Sequence, residues 1–253
     1  MDVLAACHVH SNWSYDGSWT LADLSTRFSS RGYRVLMMTE HDRGFSQTRF
    51  QQFQDACASV TNKNILVVPG IEYSDAENRV HVLVWGLLEF LGEGLPTGAI
   101  LKKVQSAGGL AVLAHPSRRD AWKSFEPSWA ESLLGIEIWN RKYDGWAPSK
   151  SAPDLLNTTK AVPFVGLDFH TVRQSFPLGM MLSLQSDVSE ESVLRALHLR
   201  RCHACSFGRP MAGSGTDTAT RILKVAEKGR RVLASIKKKS QKVLQKQFPA
   251  KNL

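Results

Sequence analysis

The sequence predicts an α/β fold in which short apolar strands alternate with amphipathic helices over about the first 200 residues. Strands are predicted at 3–10, 34–38, 65–68, 80–85, 109–114, 135–139, 161–167 and 178–184. Helical patterns are predicted from Thr20, as an N-cap, to Gly32, around 47–60 and at 97–107. This alternation favours a parallel sheet, and the length of 253 residues favours its closure into a barrel.

Composition places the chain among globular proteins. Hydrophobic residues make up 43% and charged residues 22% of the sequence, which is enough apolar material for a buried core. No apolar run reaches the roughly 18–20 residues that a membrane span needs, and the first residues lack the basic-then-apolar pattern of a secretory signal. Four cysteines are too few for a disulfide scaffold. We therefore expect a cytoplasmic protein.

The positive charge is confined to the end of the chain. Residues 216–253 contain 11 lysines and arginines against Asp217 and Glu227, which accounts for the whole formal net charge of +9. Residues 211–215 resemble a linker, and Ile222, Val225, Val232, Ile236 and Val243 recur at helical spacing. The tail is interpreted as an amphipathic helix. It could follow nucleic acid, lie on an anionic membrane, dock on an acidic protein or pack one face on the body.

Histidines and carboxylates recur where the predicted strands end. Six of the eight histidines occupy such positions, namely His8, His10, His41, His81, His115 and His170. Three carboxylates have equivalent positions, namely Asp16, Glu72 and Asp168. Because the carboxyl ends of parallel barrel strands converge on one face, these nine side chains are expected to meet in one cleft. A single histidine at such a position is more often structural. The prediction therefore depends on all nine side chains occurring at equivalent positions.

Imidazoles and carboxylates without thiolates suit zinc, manganese or iron. Nine ligands are too many for one ion, and they suit two or three ions about 3.5–4 Å apart, as in enzymes that hydrolyse phosphate esters. A carboxylate that bridges two cations holds them close, and the water between them becomes a hydroxide nucleophile near neutral pH. The residues therefore predict a di- or trinuclear centre for phosphate ester hydrolysis.

Six segments also resemble the motifs of a known family. They are HVH at 8–10 with YDG at 15–17, TEHD at 39–42, PGIE at 69–72, VHV at 80–82, AHP at 114–116 and GLDFH at 166–170. In this order, over about residues 2–208, they are similar to the PHP (polymerase and histidinol phosphatase) family. The resemblance implies a distorted (β/α)₇ TIM-like barrel that acts as a metal-dependent phosphoesterase. We predict this barrel over 1–211, with a linker and basic helical tail over 212–253.

The resemblance also implies how the metal ligands are shared. One ion would be held by His8, His10, Glu72 and Asp168, with Glu72 and Asp168 as catalytic carboxylates. A second would be held by Glu72, His81 and His115, with Glu72 as the bridge, and a third by Asp16, His41 and His170. The sequence has Glu40 where the family frequently has Asp and Leu167 where it frequently has Ser. Neither position is a ligand.

Phosphate recognition needs cations beyond the metals, preferably arginine for its bidentate fork. Arg118 and then Arg43 are the preferred candidates, followed by Arg119, Arg141 and Arg173. Only 33 residues separate His81 from His115, which leaves little room for a capping subdomain and predicts an open cleft. The substrate could be a phosphomonoester, a nucleotide or oligonucleotide, or a phosphoprotein or phosphoglycan. The alternative function is a non-catalytic metal-binding scaffold recruited through the basic tail.

Overall fold

A computed structural model describes residues 1–149, 152–211 and 218–247 of the chain, with side chains described throughout except at 153, 218, 219 and 237–247. The strands are β1 Asp2–Val9, β2 Val35–Met38, β3 Glu40–His41, β4 Leu66–Val68, β5 Gly70–Ser74, β6 His81–Trp85, β7 Leu110–Leu113, β8 Gly135–Asn140, β9 Val162–Gly166, β10 Leu178–Ser183, β11 Cys202–Ser206 and β12 Arg209–Pro210. The α-helices are α1 Leu21–Ser29, α2 Gln47–Val60, α3 Thr97–Ser106, α4 Ala152–Asn157, α5 Glu190–His198 and α6 Thr218–Gln247. Three short 3₁₀ helices lie at Arg118–Ser124, Pro127–Ser132 and Val172–Gln174.

The helices begin where the sequence supplies a cap. The Thr20 hydroxyl accepts a hydrogen bond from the backbone N–H of Asp23 at the start of α1, as predicted. The Ser46 hydroxyl does the same at the start of α2, where sequence reasoning had identified no cap. The apolar residues of α1 recur every three or four positions and are buried against the sheet, so this helix is fixed by its cap and by one apolar face.

The strands form two six-stranded sheets of mixed direction. Their orders are β12-β11-β10-β1-β2-β4 and β3-β5-β6-β7-β8-β9. Parallel pairs join β1 to β2, β2 to β4, β3 to β5, β7 to β8 and β8 to β9. The pairs β5–β6, β6–β7, β1–β10 and β10–β11 are antiparallel, so the prediction of a parallel sheet is wrong for these strands. Residues 75–80 are too few for the crossover that a parallel β5–β6 pair requires.

Hydrogen bonds at the end of β1 connect the two sheets. The backbone N–H of His10 donates to the Phe169 carbonyl at 3.0 Å, and that of Leu167 donates to the Cys7 carbonyl at 3.0 Å. Val9 and Phe169 form a parallel bridge. These bonds bring the segment after β9 beside the segment after β1, which places two of the predicted motifs next to each other. No helix in the described part of the chain is long and apolar enough to cross a membrane.

Helix α6 contacts the body through a carboxylate rather than through its aliphatic stripe. The buried Glu227 side chain accepts a hydrogen bond from the backbone N–H of Trp146 at 3.0 Å, and Arg231 donates to the Asp144 carbonyl at 3.0 Å. The predicted stripe residues Ile222, Val225, Val232 and Ile236 are 53–73% exposed, so they do not form the packed face. The predicted linker at 212–215 and the Val243 side chain lie outside the described residues.

Glu227→Gln is expected to weaken the contact of α6 with the body by about 2 kcal/mol at neutral pH. Burial alone would raise the pKa of Glu227, but hydrogen bonds from Arg230 and Arg231 lower it to about 2. Because this folded-state pKa lies below the ordinary value of 4.5, the stabilisation is fully present above about pH 4.5 and is lost as the pH falls towards 2.

Hydrogen exchange of α6 peptides measures this effect. At pH 7 the variant should exchange faster than the wild type, and the difference should shrink below about pH 4. Glu190→Gln removes an exposed carboxylate at the start of α5 and should leave exchange in α6 unchanged. A difference between variant and wild type that stays constant across this pH range would contradict the role given to Glu227.

Candidate metal centre

The structure brings all nine predicted ligands to one end of the two sheets. Their positions are His8 in β1, His10 and Asp16 after it, His41 in β3, Glu72 in β5, His81 in β6, His115 after β7, and Asp168 and His170 after β9. Eight of them are buried, and the Asp16 side chain is 34% exposed. Asp16 therefore lies at the rim of the cluster, between the buried imidazoles and solvent.

His81 reaches the cluster by a different route from the one predicted. It is the first residue of β6, not the last, and it pairs with Ser74 at the end of the antiparallel neighbour β5. Its carbonyl also accepts from the backbone N–H of Ala114 at 3.0 Å, just beyond the end of β7. Because β6 runs against both neighbours, its start lies at the edge where they end. The expectation that all six histidines follow strand ends is wrong for His81.

Glu72 lies at the centre of the cluster and divides its two oxygens between two groups of imidazoles. Its Oε2 atom lies 3.4, 3.3 and 3.2 Å from ring nitrogens of His8, His10 and His41, respectively. Its Oε1 atom lies 2.6 Å from His81 Nδ1 and 2.9 Å from His115 Nε2. Five imidazoles thus surround one carboxylate, with a separate group at each oxygen.

Two further carboxylates extend the cluster on the other side of His10. Asp168 Oδ1 lies 3.9 Å from His8 Nε2, 3.8 Å from His10 Nε2 and 3.3 Å from His170 Nδ1. Asp16 lies 3.4 Å from His41 Nε2 through one oxygen and 3.0 Å from His170 Nε2 through the other. The nine side chains form one continuous network.

Three trios within this network could each hold an ion. They are His8 with Glu72 and His115, His8 with His10 and Asp168, and His10 with His41 and His170. In each trio the potential ligand atoms lie within 4.8 Å of one another. The trio of His8, His10 and Asp168 lies within the first predicted ligand set, and each of the other two trios combines residues from two predicted sets. His81 is in none of them: its Nδ1 is paired with Glu72 and its Nε2 lies 2.6 Å from Asn78 Oδ1.

The backbone around the cluster departs from regular strand geometry. His8, His115 and Asp168 have φ angles of 60°, 25° and 48°, in the left-handed region that non-glycine residues rarely adopt. The pairing of β1 with β2 also shifts register between Cys7 and Val9, with His8 as the extra residue. Such bulges redirect side chains beside functional sites. Here the strain accompanies three of the nine predicted ligands.

Glu137 contacts two of the predicted ligands and was not among the residues expected at the site. Its fully buried carboxylate lies 2.8 Å from His8 Nδ1 and accepts from the backbone N–H of His115 at 2.7 Å. A carboxylate on the second nitrogen of a histidine orients the ring and leaves Nε2 for a metal. Gly166 packs against Glu137, and a Cβ at Gly166 would clash with both Glu137 and His8. The glycine that opens GLDFH was the available signal.

Asn140 and Lys142, at and beyond the end of β8, were also missed. The Asn140 side chain donates to Glu137 at 2.9 Å and to Asp168 at 3.3 Å. Lys142 Nζ lies 3.1 Å from Asp168 Oδ1 and 3.4 Å from His170 Nε2. Arginines were expected to supply the phosphate-binding cations, so this partly buried lysine ammonium was not predicted. It places a positive charge inside the cluster.

Glu40, by contrast, supports the loop after β1. Its buried carboxylate accepts from the backbone N–H and hydroxyl of Ser11 and from the hydroxyl of Ser14. Ser14 Oγ in turn accepts from the backbone N–H of His41. These bonds occupy both carboxylate oxygens of Glu40.

The electrostatics keep the carboxylates ionised. Burial alone would raise the pKa of Glu72, but the surrounding imidazoles, His8 foremost, hold it well below its usual range. Burial would likewise raise the pKa of Asp16, and hydrogen bonds from His170 and His41 hold it far below its usual range. Burial, with His41 and His170 nearby, lowers the pKa of His10 and keeps its imidazole neutral. Burial alone would lower the pKa values of His8 and His41, but the carboxylates around them raise both. Carboxylates and neutral imidazoles are the forms that bind metals, so a metal would displace protons from these two histidines.

The donor set fits divalent metal ions. Within the described residues, His8 Nε2, His10 Nε2 and Glu72 Oε2 are buried atoms without a hydrogen-bond partner, a costly arrangement unless something else binds them. Ligand atoms about 2.0–2.1 Å from a tetrahedral ion lie roughly 3.3–3.5 Å apart, which matches the 3.3 and 3.4 Å from Glu72 Oε2 to the two histidines. The closer His81–Glu72 pair is a hydrogen bond.

The two preferred arginines lie on opposite sides of the cluster. Arg118 donates to the Asn78 carbonyl at 2.8 Å and to the Asn78 side chain at 3.0 Å, beside His81. Arg43 is exposed over the Tyr15 ring, which stacks on His41. Arg141 lies elsewhere, over the Phe176 ring and bonded to the Arg173 carbonyl. One terminal nitrogen of its guanidinium is thus bonded to the protein, and its buried Nε has no hydrogen-bond partner among the described residues.

Residues 86–96 lie between His81 and His115, where a capping subdomain would be inserted. This segment packs against α2 and its neighbours. The backbone N–H of Phe90 donates to Gln47 in α2, and that of Leu91 donates to the Tyr73 hydroxyl at 3.0 Å. The Leu88 side chain is 85% exposed. The contacts of this short segment are consistent with the open cleft that the sequence predicts.

Solved structures share this fold, and one of them is described as containing a predicted PHP-like metal-dependent phosphoesterase, which confirms the predicted resemblance at the level of the fold. One is a two-domain protein containing a predicted PHP-like metal-dependent phosphoesterase from Bacteroides vulgatus, with a TM-score of 0.64 and 16% identity. The match covers 81% of this chain and 65% of that one, so this chain spans less than two thirds of the Bacteroides protein.

Two other solved structures are similar. PsfC from Pseudomonas syringae has a TM-score of 0.60 and 14% identity, over 92% of this chain and 99% of that one. The lesion-specific endonuclease PfuEndoQ from Pyrococcus furiosus has a TM-score of 0.57 and 14% identity, over 78% of this chain and 56% of that one. At these identities the likeness concerns the fold. No family model matches the sequence, and no curated protein does.

Proposed function

We propose that this chain is a PHP-type metal-dependent phosphoesterase whose substrate is a phosphomonoester or a nucleotide or oligonucleotide. The observation that carries the proposal is the position of Glu72, whose two oxygens face separate groups of buried imidazoles. Residues 1–211 would form a distorted (β/α)₇ barrel and 212–253 a linker and basic helical tail. We retain the prediction of a cytoplasmic location.

Two or three divalent ions, zinc, manganese or iron, would be held by the nine residues in the predicted sets. Those sets are His8, His10, Glu72 and Asp168; Glu72, His81 and His115; and Asp16, His41 and His170. Bound divalent ions supply an acidified water as nucleophile and positive charge for the phosphoryl oxygens. For His81 to act as a ligand, its hydrogen bond to Glu72 would have to be exchanged for the metal.

The remaining residues orient this set and bind phosphate. Glu137 and Asn140 hold His8 and Asp168 from behind, so the ligand atoms face the cluster. Lys142 would bind a phosphoryl oxygen from inside the cluster, and Arg118 and Arg43 from its two sides. The fork of Arg118 is already positioned by Asn78 and by the Tyr143 hydroxyl, which reduces the entropy lost when phosphate binds.

Hydrolysis of a chromogenic phosphate monoester and diester by manganese-reconstituted protein tests the proposal. His115→Ala removes a ring that contacts Glu72 at 2.9 Å and should reduce turnover by about 100-fold or more. The ratio of monoester to diester turnover would then select the substrate class. Equal turnover by wild type and variant would identify a contaminating phosphatase.

The scaffold alternative predicts a different result from the same samples. The chain could be shown to hold two or more metal ions and yet be inactive on both esters and on a single-stranded oligonucleotide. That result would contradict the proposal that it is an enzyme. Buried and ionised carboxylates together with cations at the rim are expected of an enzyme, because a scaffold gains nothing from phosphate-binding groups beside its metals.

A further inference from the structure

A large cleft separates α6 from the body next to the candidate metal centre. Its volume is about 1270 Å³, above the roughly 300–1,000 Å³ of pockets for small ligands. The wall on the body comes from two loops, at 117–119 and 143–149, and the opposite wall comes from α6. The size of the cleft suits an extended molecule that continues beyond a single phosphate group.

Both walls of the cleft carry positive charge. Arg118 and Arg119 line the wall on the body, and Lys224, Lys228 and Arg231 line the wall on α6. The three residues on α6 are spaced by four and three positions, so they lie on one face of the helix. They form a row of cations opposite the two arginines.

The carboxylates in the cleft are already engaged. Glu227 is bound by Arg230 and Arg231 at 2.7 and 2.6 Å. Asp144 accepts from the Ser117 hydroxyl at 2.6 Å and from the backbone N–H of Asn140 at 2.8 Å, and burial raises its pKa to about 6. The cations outnumber the carboxylates, so the cleft attracts a polyanion.

One side chain links the cleft to the metal centre. The ring of Tyr143 lies 4.9 Å from the His115 ring, and its hydroxyl accepts from Arg118 at 3.1 Å. The Tyr143 side chain lines the cleft and the residue is 39% exposed, with the Arg118 guanidinium and the Lys142 ammonium 5.8 and 5.5 Å from the centre of its ring. Ala147, Pro148, Val225 and Val232 add apolar surface. Cations with an aromatic ring and apolar surface are what single-stranded nucleic acid requires.

We propose that this cleft binds a single strand of nucleic acid whose backbone runs along Lys224 and Lys228 while one phosphodiester reaches the metal centre. The proposal rests on the proposed phosphoesterase function and narrows its substrate class to an oligonucleotide. The α6 tail then acts as a substrate-binding wall.

Membrane binding is the competing use of α6. Its exposed aliphatic residues, such as Ile222 and Leu233, would suit a bilayer. The cation row, however, faces the body across a cleft that a bilayer cannot enter and that a flexible strand can. The position of these cations therefore favours nucleic acid.

The test uses fluorescence anisotropy with manganese-loaded full-length chain and a single-stranded phosphorothioate oligonucleotide of about 12 nucleotides. Lys224→Glu/Lys228→Glu is expected to weaken binding more than tenfold and to reduce the slope of log K against log salt by about 1.4, or about 0.7 for each phosphate contact. Lys63→Glu/Lys102→Glu changes the net charge equally at exposed positions outside the cleft and should bind like the wild type.

The outcomes separate this proposal from the function on which it rests. Equal weakening by both variant pairs, or wild-type binding to phosphatidylserine vesicles without binding to the oligonucleotide, would overturn the cleft as a nucleic-acid site. If the wild type hydrolyses the chromogenic diester while the cleft variants bind the oligonucleotide as tightly as the wild type, the cleft proposal alone fails. If binding depends on the two lysines but the wild type hydrolyses nothing, the proposed enzyme alone fails.

Discussion

Glu72→Gln is expected to reduce turnover by about 100–1,000-fold and to remove at least one bound ion from each chain. Five imidazoles face this carboxylate, and they hold its pKa well below the usual range, so it is ionised in the working enzyme. The amide of glutamine carries no charge and presents one oxygen instead of two. It therefore cannot bridge two metal ions that are held by separate groups of ligands. Metal content measured by mass spectrometry, together with turnover on a chromogenic ester, checks both effects.

Glu190→Gln is the matched control for Glu72→Gln. It makes the same chemical change at an exposed carboxylate on α5, and it should leave metal content and turnover at the wild-type level. Full metal content in the Glu72 variant would show that Glu72 is not a bridging ligand. Loss of secondary structure would be read from circular dichroism, so that unfolding is distinguished from loss of a ligand.

Glu137→Gln has the second largest expected effect, a decrease of about 10–100-fold in metal affinity. The carboxylate receives hydrogen bonds from His8, the His115 backbone and Asn140, all within 2.9 Å. The amide replaces one acceptor oxygen by a donor, so one of these N–H groups would lose its partner and the ring of His8 would lose its orientation. Competition of the protein with a chelator measures the affinity.

Glu40→Gln provides the comparison for Glu137→Gln. Glu40 is also fully buried beside the cluster, but its hydrogen bonds go to Ser11 and Ser14. Its loss should lower thermal stability and change metal affinity by only a few-fold. Equal losses of metal affinity in the two variants would indicate a general effect of removing buried charge and would contradict the specific role of Glu137 in orienting His8.

Much of the fold was predictable because its signals are local. Patterns over a few residues predict the cap at Thr20, the helices α1, α2 and α3, and the β-branched and apolar strands between β1 and β10 other than β3 and β5. The two-residue strand β3 and the continuation of the chain into β5 after Pro69 were not predicted. Polar and charged residues in these strands hide the apolar pattern, since they face the metal centre.

The residue types of the candidate metal centre were also available from the sequence. Nine histidines and carboxylates at the edges of strands were expected to converge, and the structure brings them into one network. Their functions as metal ligands remain predictions. Glu137 itself gives no local sign of its partners, because it lies inside an apolar strand, and the available signal was the distant Gly166 that packs against it. His8 and His115 lie 129 and 22 residues away from Glu137.

The sequence by itself determined the apolar core, the helix starts and the chemistry of the candidate centre, since these depend on residue type and short spacing. Only the tertiary structure decided the antiparallel direction of β6, which puts the start of that strand at the metal centre. It also decided which face of α6 meets the body, through Glu227 and the Trp146 backbone. Strand direction and helix docking depend on contacts between residues far apart in the chain, and such contacts leave no periodic signal.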